Sequence, residues 1–195
     1  SWQSDLPKNQ NLNFIETSIK DALKRLRQQK PISLDIKLDK ATRNLAGSPD
    51  IAESIFSKIG NSSIFIADIS IINKDYDGLR KTPNPNVLVE LGYAARSIGW
   101  EKIICVYNTD FGNYNDLPFD LRNRRILNYT SKNGKDELSR KIESAICEMN
   151  KKGNLTNKIL DFLKKDIDNE ILGLLSHLLL IINDNSKQDL FAAIR

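Results

Sequence analysis

Apolar residues recur every three to four positions at Ile15, Ile19, Ala22, Leu23 and Leu26, and this period predicts an amphipathic helix over residues 14–26. Strict alternation follows over residues 32–39, the pattern of a strand with one wet face near a sheet edge. A polar stretch, 40–49, ends in Gly47-Ser48-Pro49-Asp50 and leads into a helix over 51–59, on which Ile51, Ile55, Phe56 and Ile59 share a face. Residues 63–70 are continuously apolar until Asp68, as expected of a strand covered on both faces. A loop rich in Asp, Asn, Lys and Gly spans 71–82. Pro83 and Pro85 then hold the chain extended, and Asn86 suits an N-cap, so a helix is predicted from Val87 towards Gly99 with Glu90 in or just after its first turn.

A second buried strand is read at 102–108, a Gly/Asn/Asp loop at 109–116, a short basic segment at 117–125, and a short strand at 126–129. Residues 135–150 carry another helical period. Lys151-Lys152-Gly153-Asn154 reads as a helix stop and a domain boundary. Residues 155–195 are helical in pattern, with an apolar middle at 171–182 that is hydrophobic on too many sides for a solvated tail.

Strand and helix alternate from residue 14 to 150, which implies an α/β domain with a central parallel sheet between two helical layers. The expected division is 1–150 as that domain and 151–195 as a helical connector or oligomerisation segment. The working site of such a sheet lies beyond the carboxyl ends of its strands. The loops at those ends are 1–7, 40–49, 70–86 and 108–116, and Glu90 opens the helix after the third of them.

Composition narrows the chemistry. The chain has 195 residues, 40% of them apolar, enough for one core. Its 29 basic and 25 acidic residues are interspersed, so the net charge of +4 argues only weakly for nucleic acid, and no direct nucleic-acid binding is expected. Cys105 and Cys147 lie far apart in apolar runs and read as reduced thiols of a cytoplasmic protein. The single histidine, His177, sits in an apolar helical stretch, leaving no obvious Ser-His-Asp or Cys-His arrangement. Nothing reads as a signal peptide, a membrane span, a phosphate-binding glycine loop or a His/Cys metal cluster, so no metal is expected.

What remains is one carboxylate. An acid near a helix start has an ordinary explanation, because it complements the helix dipole by about 0.3–1 kcal/mol. It also has a chemical one. Cleavage of an N-glycosidic bond to a cationic base passes through an oxocarbenium-like state that a single carboxylate can stabilise or trap, and the base departs neutral without a general acid. Arg122, Arg124 and Arg125 are candidates for phosphate contacts or form an ordinary solvated basic face, and Trp2 is a candidate for stacking on a purine or nicotinamide ring or covers the core.

Five segments together resemble a bacterial TIR or TIR-like domain: Ser1-Trp2-Gln3-Ser4-Asp5, Gly47-Ser48-Pro49-Asp50-Ile51, Ser63-Ile64-Phe65-Ile66-Ala67-Asp68-Ile69-Ser70, Asn84-Pro85-Asn86-Val87-Leu88-Val89-Glu90-Leu91-Gly92-Tyr93-Ala94 and Leu117-Pro118-Phe119-Asp120-Leu121-Arg122. The resemblance covers roughly residues 1–150. It implies a flavodoxin-like sheet of about five strands whose first strand lies upstream of residue 1. It also implies an NAD+ glycohydrolase that releases nicotinamide and leaves ADP-ribose or a cyclic isomer, with NAD+ as substrate and no further cofactor. Such domains are typically effectors of antiphage defence, assembled into homo-oligomers by a sensor module. The residues carried over are Glu90 as the catalytic carboxylate, with Trp2, Asp5, Gly47, Ser48, Asp68, Ser70 and Asn86 around the substrate. The segment 84–94 is also similar to nucleoside 2-deoxyribosyltransferases, which place a nucleophilic glutamate there, and an adaptor TIR module that only self-associates is the non-enzymatic alternative.

Overall fold

The computed structural model describes residues 1–28, 37–39, 51–76, 78–132, 134–155, 167 and 170–177. The chain divides into two units, Ser1–Leu155 and Thr156–Arg195. In the first unit the described elements are α1 (Leu12–Gln28), α2 (Ile51–Asn61), β1 (Phe65–Asp68), α3 (Pro85–Ser97), β2 (Ile103–Asn108), α4 (Phe119–Arg122), β3 (Ile126–Tyr129) and α5 (Lys135–Lys151).

The three strands form a parallel sheet in the order β1-β2-β3. All six residues of β2 are buried, which makes it the centre of the described sheet. Alternation along β2 then divides the core. Ile104 and Val106 face the layer of α1 and α5, whereas Ile103, Cys105 and Tyr107 face α2 and α3. Burial pushes the Cys105 thiol up to about 12, so it stays protonated as an inert core residue. Helix α1 docks on α5 through Phe14, Ile15, Ile19 and Leu23 against Leu138, Ile142 and Ile146. Arg25 closes that seam, donating from Nε to Glu143 at 2.6 Å and from Nη1 to Asp136 at 3.3 Å.

Ser1 lies along the other edge of β1. Its nitrogen donates to the Ile66 carbonyl, and its carbonyl accepts from the Asp68 N–H at 2.9 Å. That pair of bonds around Ala67 is the pattern of a parallel neighbour. The expected three-layer α/β architecture is therefore present with three strands. Of the other two strands anticipated from the sequence, one was placed before residue 1 and the other, at 32–39, falls mainly outside the described residues; its described end, 37–39, carries no strand. Leu38 nonetheless packs, partly buried, against the α1–α5 core.

One local expectation is corrected. Helix α3 begins at Pro85 and is capped by Asn84 rather than Asn86. Proline lacks an N–H and has a helix-compatible φ, so it suits the first helical position and moves the cap one residue earlier. The buried stripe of α3 runs through Val87, Leu91 and Ala94 and continues to Ile98 at its C-cap, with Leu88 and Ala95 partly buried on its flank. In the second unit, residues 170–177 are helical, and Ile171, Leu172, Leu174 and Leu175 are exposed. Among the described residues no helix is long and apolar enough to cross a membrane.

Candidate functional site

The site is built on the carboxyl ends of β1 and β2 and the start of α3. Asn84 Oδ1 accepts from the N–H groups of Asn86 at 2.8 Å and Val87 at 3.3 Å, and the Leu88 N–H bonds back to the Asn84 carbonyl at 3.1 Å. With Pro85 as the first helical residue, Glu90 is the sixth. It therefore stands in the second turn, beyond the first turn in which a helix dipole favours acids. Its side chain is half-buried between Val89, which is 61% exposed, and the buried Leu91.

The first loop leaves the sheet beside Asp68, whose N–H donates to the Ser1 carbonyl at 2.9 Å. Asp5 belongs to the same rim: Asn84 Nδ2 donates to Asp5 Oδ2 at 2.7 Å, tying the first loop to the cap of the helix that carries Glu90.

Beneath the rim lies a buried polar network. Asp68 is 1% exposed and accepts four hydrogen bonds: Oδ2 from Gln3 Nε2 at 3.1 Å and Asn11 Nδ2 at 3.0 Å, Oδ1 from the Ser70 N–H at 3.1 Å and Ser70 Oγ at 2.6 Å. Ser70 Oγ in turn accepts from the Asn108 N–H at 2.9 Å, and Asn108 Nδ2 donates to Asn11 Oδ1 at 3.1 Å. The ends of β1 and β2 and the start of α1 are stitched together by side chains that use their polar groups on one another. Asp68 and Ser70 accordingly lie under the site floor, as supports for whatever the rim holds.

Two loops wall the rim. The β1–α3 loop folds around Lys81, whose Nζ donates to the carbonyls of Asn73 at 3.1 Å, Lys74 at 2.5 Å and Tyr76 at 2.7 Å. Lys74 reaches across to the Asp110 carbonyl at 2.8 Å and lies over the Phe111 ring, joining this loop to the one after β2. Asp110 is itself held below the usual carboxylate range, chiefly by the hydroxyl of Ser131 and also by its N–H.

Of the residues anticipated from the sequence, Glu90 and Asp5 stand at the rim with the half-buried Trp2 in the same first loop, Asp68 and Ser70 lie beneath it, and Asn86 is exposed on the first turn of α3. Gly47 and Ser48 lie outside the described residues. Arg124 and Arg125 sit at the opposite, amino end of the strands, lining a cleft there. The sequence reading missed Gln3, Asn11 and Asn108 as a group, and missed the link from Asn84 to Asp5. Asn108 had a signal, since it closes an apolar strand as Asp68 does; Gln3 and Asn11 had none in their local pattern.

Among the described residues no group of three His, Cys, Asp or Glu side chains could hold a metal ion. The chemistry available at the rim is that of a carboxylate near a buried, hydrogen-bonded polar network. Compared with protein-family models, the chain gives no match, and compared with curated proteins it gives no significant one.

Proposed function

We propose that the chain is an NAD+ glycohydrolase in which Glu90 is the catalytic carboxylate. The observation that carries this reading is the position of Glu90: half-buried in the second turn of α3, at the carboxyl rim of a parallel sheet, without a helix-capping duty to explain it. The resemblance of the five segments to bacterial TIR domains supports the choice of substrate. In the proposed step the bond between ribose C1′ and the nicotinamide nitrogen breaks, its electron pair leaving with nicotinamide, which becomes neutral. Glu90 stabilises the positive charge left on the sugar. Water then adds at C1′ and releases a proton, giving ADP-ribose; attack by an adenine nitrogen instead gives the cyclic isomer.

In this reading Trp2 and Asp5 contact substrate from the first loop, Gly47 and Ser48 from the loop over residues 40–49, and Asn86 from the helix start, while Asp68 and Ser70 fix the floor. Assembly into homo-oligomers by a sensor module, as an antiphage effector, belongs to the same proposal. Chromatography of NAD+ after incubation with assembled protein tests it, since nicotinamide must appear with wild type and not with Glu90→Gln. Base exchange between deoxyinosine and a free purine, without NAD+ cleavage, would favour the deoxyribosyltransferase reading instead. Neither activity, with Glu90→Gln leaving self-association intact, would favour the adaptor.

A further inference from the structure

A cleft of about 430 Å³ opens at the amino ends of β2 and β3, the end of the sheet opposite to the rim that carries Glu90. Its volume falls in the range of small-molecule sites, roughly 300–1,000 Å³. Leu127, Ala145 and Met149 contribute an apolar floor from β3 and α5. The lip is polar and cationic. Arg124 lies over the Trp100 ring at 4.1 Å from its centroid, which holds the guanidinium in place. Among the described residues no side-chain acceptor meets that guanidinium. Arg125 and Lys152 share one carboxylate, Glu148, with Lys152 Nζ at 3.1 Å from it. The other acid of the lining, Glu101, has its carboxylate folded against Gly99, where any Cβ would stand 2.2 Å from Oε1. Among the described residues three cations thus stand against two carboxylates, and the one of them without a carboxylate partner is the one fixed on an aromatic face.

We propose that this cleft binds a planar aromatic phosphate of mononucleotide size, its ring on the apolar floor beside the Trp100–Arg124 stack and its phosphate among Arg124, Arg125 and Lys152. Guanidinium groups pair with phosphate through forked N–H donors and stack on planar rings, so Arg124 serves both halves of such a ligand. The ring requirement follows from the floor and the phosphate requirement from the charge excess. The proposal is independent of any chemistry at Glu90.

The test is calorimetric titration of the whole chain with AMP, adenosine and inorganic phosphate. Saturable AMP binding is expected, with adenosine and phosphate each at least about tenfold weaker and Arg124→Ala weakening AMP about tenfold or more. Arg124 is exposed, so its replacement leaves the fold intact. Absence of AMP binding at millimolar concentration, equal binding of AMP and free phosphate, or unchanged AMP affinity in Arg124→Ala would each overturn the proposal.

Discussion

Asn84 is bonded in two directions at once: its Oδ1 caps α3 through the N–H groups of Asn86 and Val87, and its Nδ2 holds Asp5 Oδ2 at 2.7 Å. One side chain therefore sets both the start of the helix that bears Glu90 and the position of the loop facing it. Replacing Asn84 by serine keeps a capping oxygen and removes the Nδ2 amide that reaches Asp5; replacing it by alanine removes both. Loss of the cap costs about 1 kcal/mol, whereas serine caps nearly as well as asparagine. Thermal unfolding should show Asn84→Ala clearly destabilised and Asn84→Ser close to wild type. On the proposed function, NAD+ cleavage should fall in Asn84→Ser and Asp5→Ala alike, and the double variant should be no worse than either single one. Additive losses would show that the link does not position the site.

The network under the rim predicts a larger effect on stability. Asp68→Ala leaves donors of Gln3, Asn11 and Ser70 buried without their acceptor, each at about 1–3 kcal/mol. Chemical denaturation should place this variant at least about 3 kcal/mol below wild type, among the most destabilising single changes in the first unit. Asn108→Ala should be milder, since Asp68 keeps all four of its donors. Equal, small effects from both would contradict the network as described.

Much of the fold was legible because it rests on short-range patterns. The bounds of β3 coincide with the expected 126–129, and α5 ends one residue beyond its expectation. The start of α3 was misjudged by two residues, since Asn84 and Asn86 are both good caps and only the Pro85 position decides between them. The site was legible in part. Glu90 and Asp68 advertise themselves by interrupting apolar runs, but Gln3 and Asn11 sit in polar surroundings and acquire their role only when α1 is folded against the end of β1. Such contacts, more than fifty residues apart in sequence, leave no trace in a local period.

The depressed Asp110 carboxyl makes a pH prediction. An acid whose folded pKa lies below its unfolded value contributes stability above the unfolded value, about 4, and loses it as the pH falls through the folded one. Ser131→Ala removes the hydroxyl that is the first cause of the depression. Wild type should therefore exceed Ser131→Ala in stability near neutrality, and the part of that difference due to Asp110 should vanish well below the folded pKa. A difference in urea midpoints that stays constant down to about pH 2 would assign the effect of Ser131 to something other than Asp110.

Lys81 predicts a local effect. Three carbonyls converge on its ammonium, so Lys81→Met removes the donor that folds the β1–α3 loop while leaving the core untouched. Amide exchange should accelerate at residues 73–82 and remain unchanged in β2. Uniform acceleration across the domain would mean that the loop and the core open together.

The most direct measurement of the central proposal is nicotinamide release from NAD+ by assembled wild-type protein and by Glu90→Gln, with both shown to be equally folded and equally assembled. Glutamine keeps the size of the side chain and removes its charge. The account predicts nicotinamide from wild type and a loss of at least about a hundredfold in Glu90→Gln, the scale seen when a transition-state charge partner is removed. Equal release by the two proteins would contradict it.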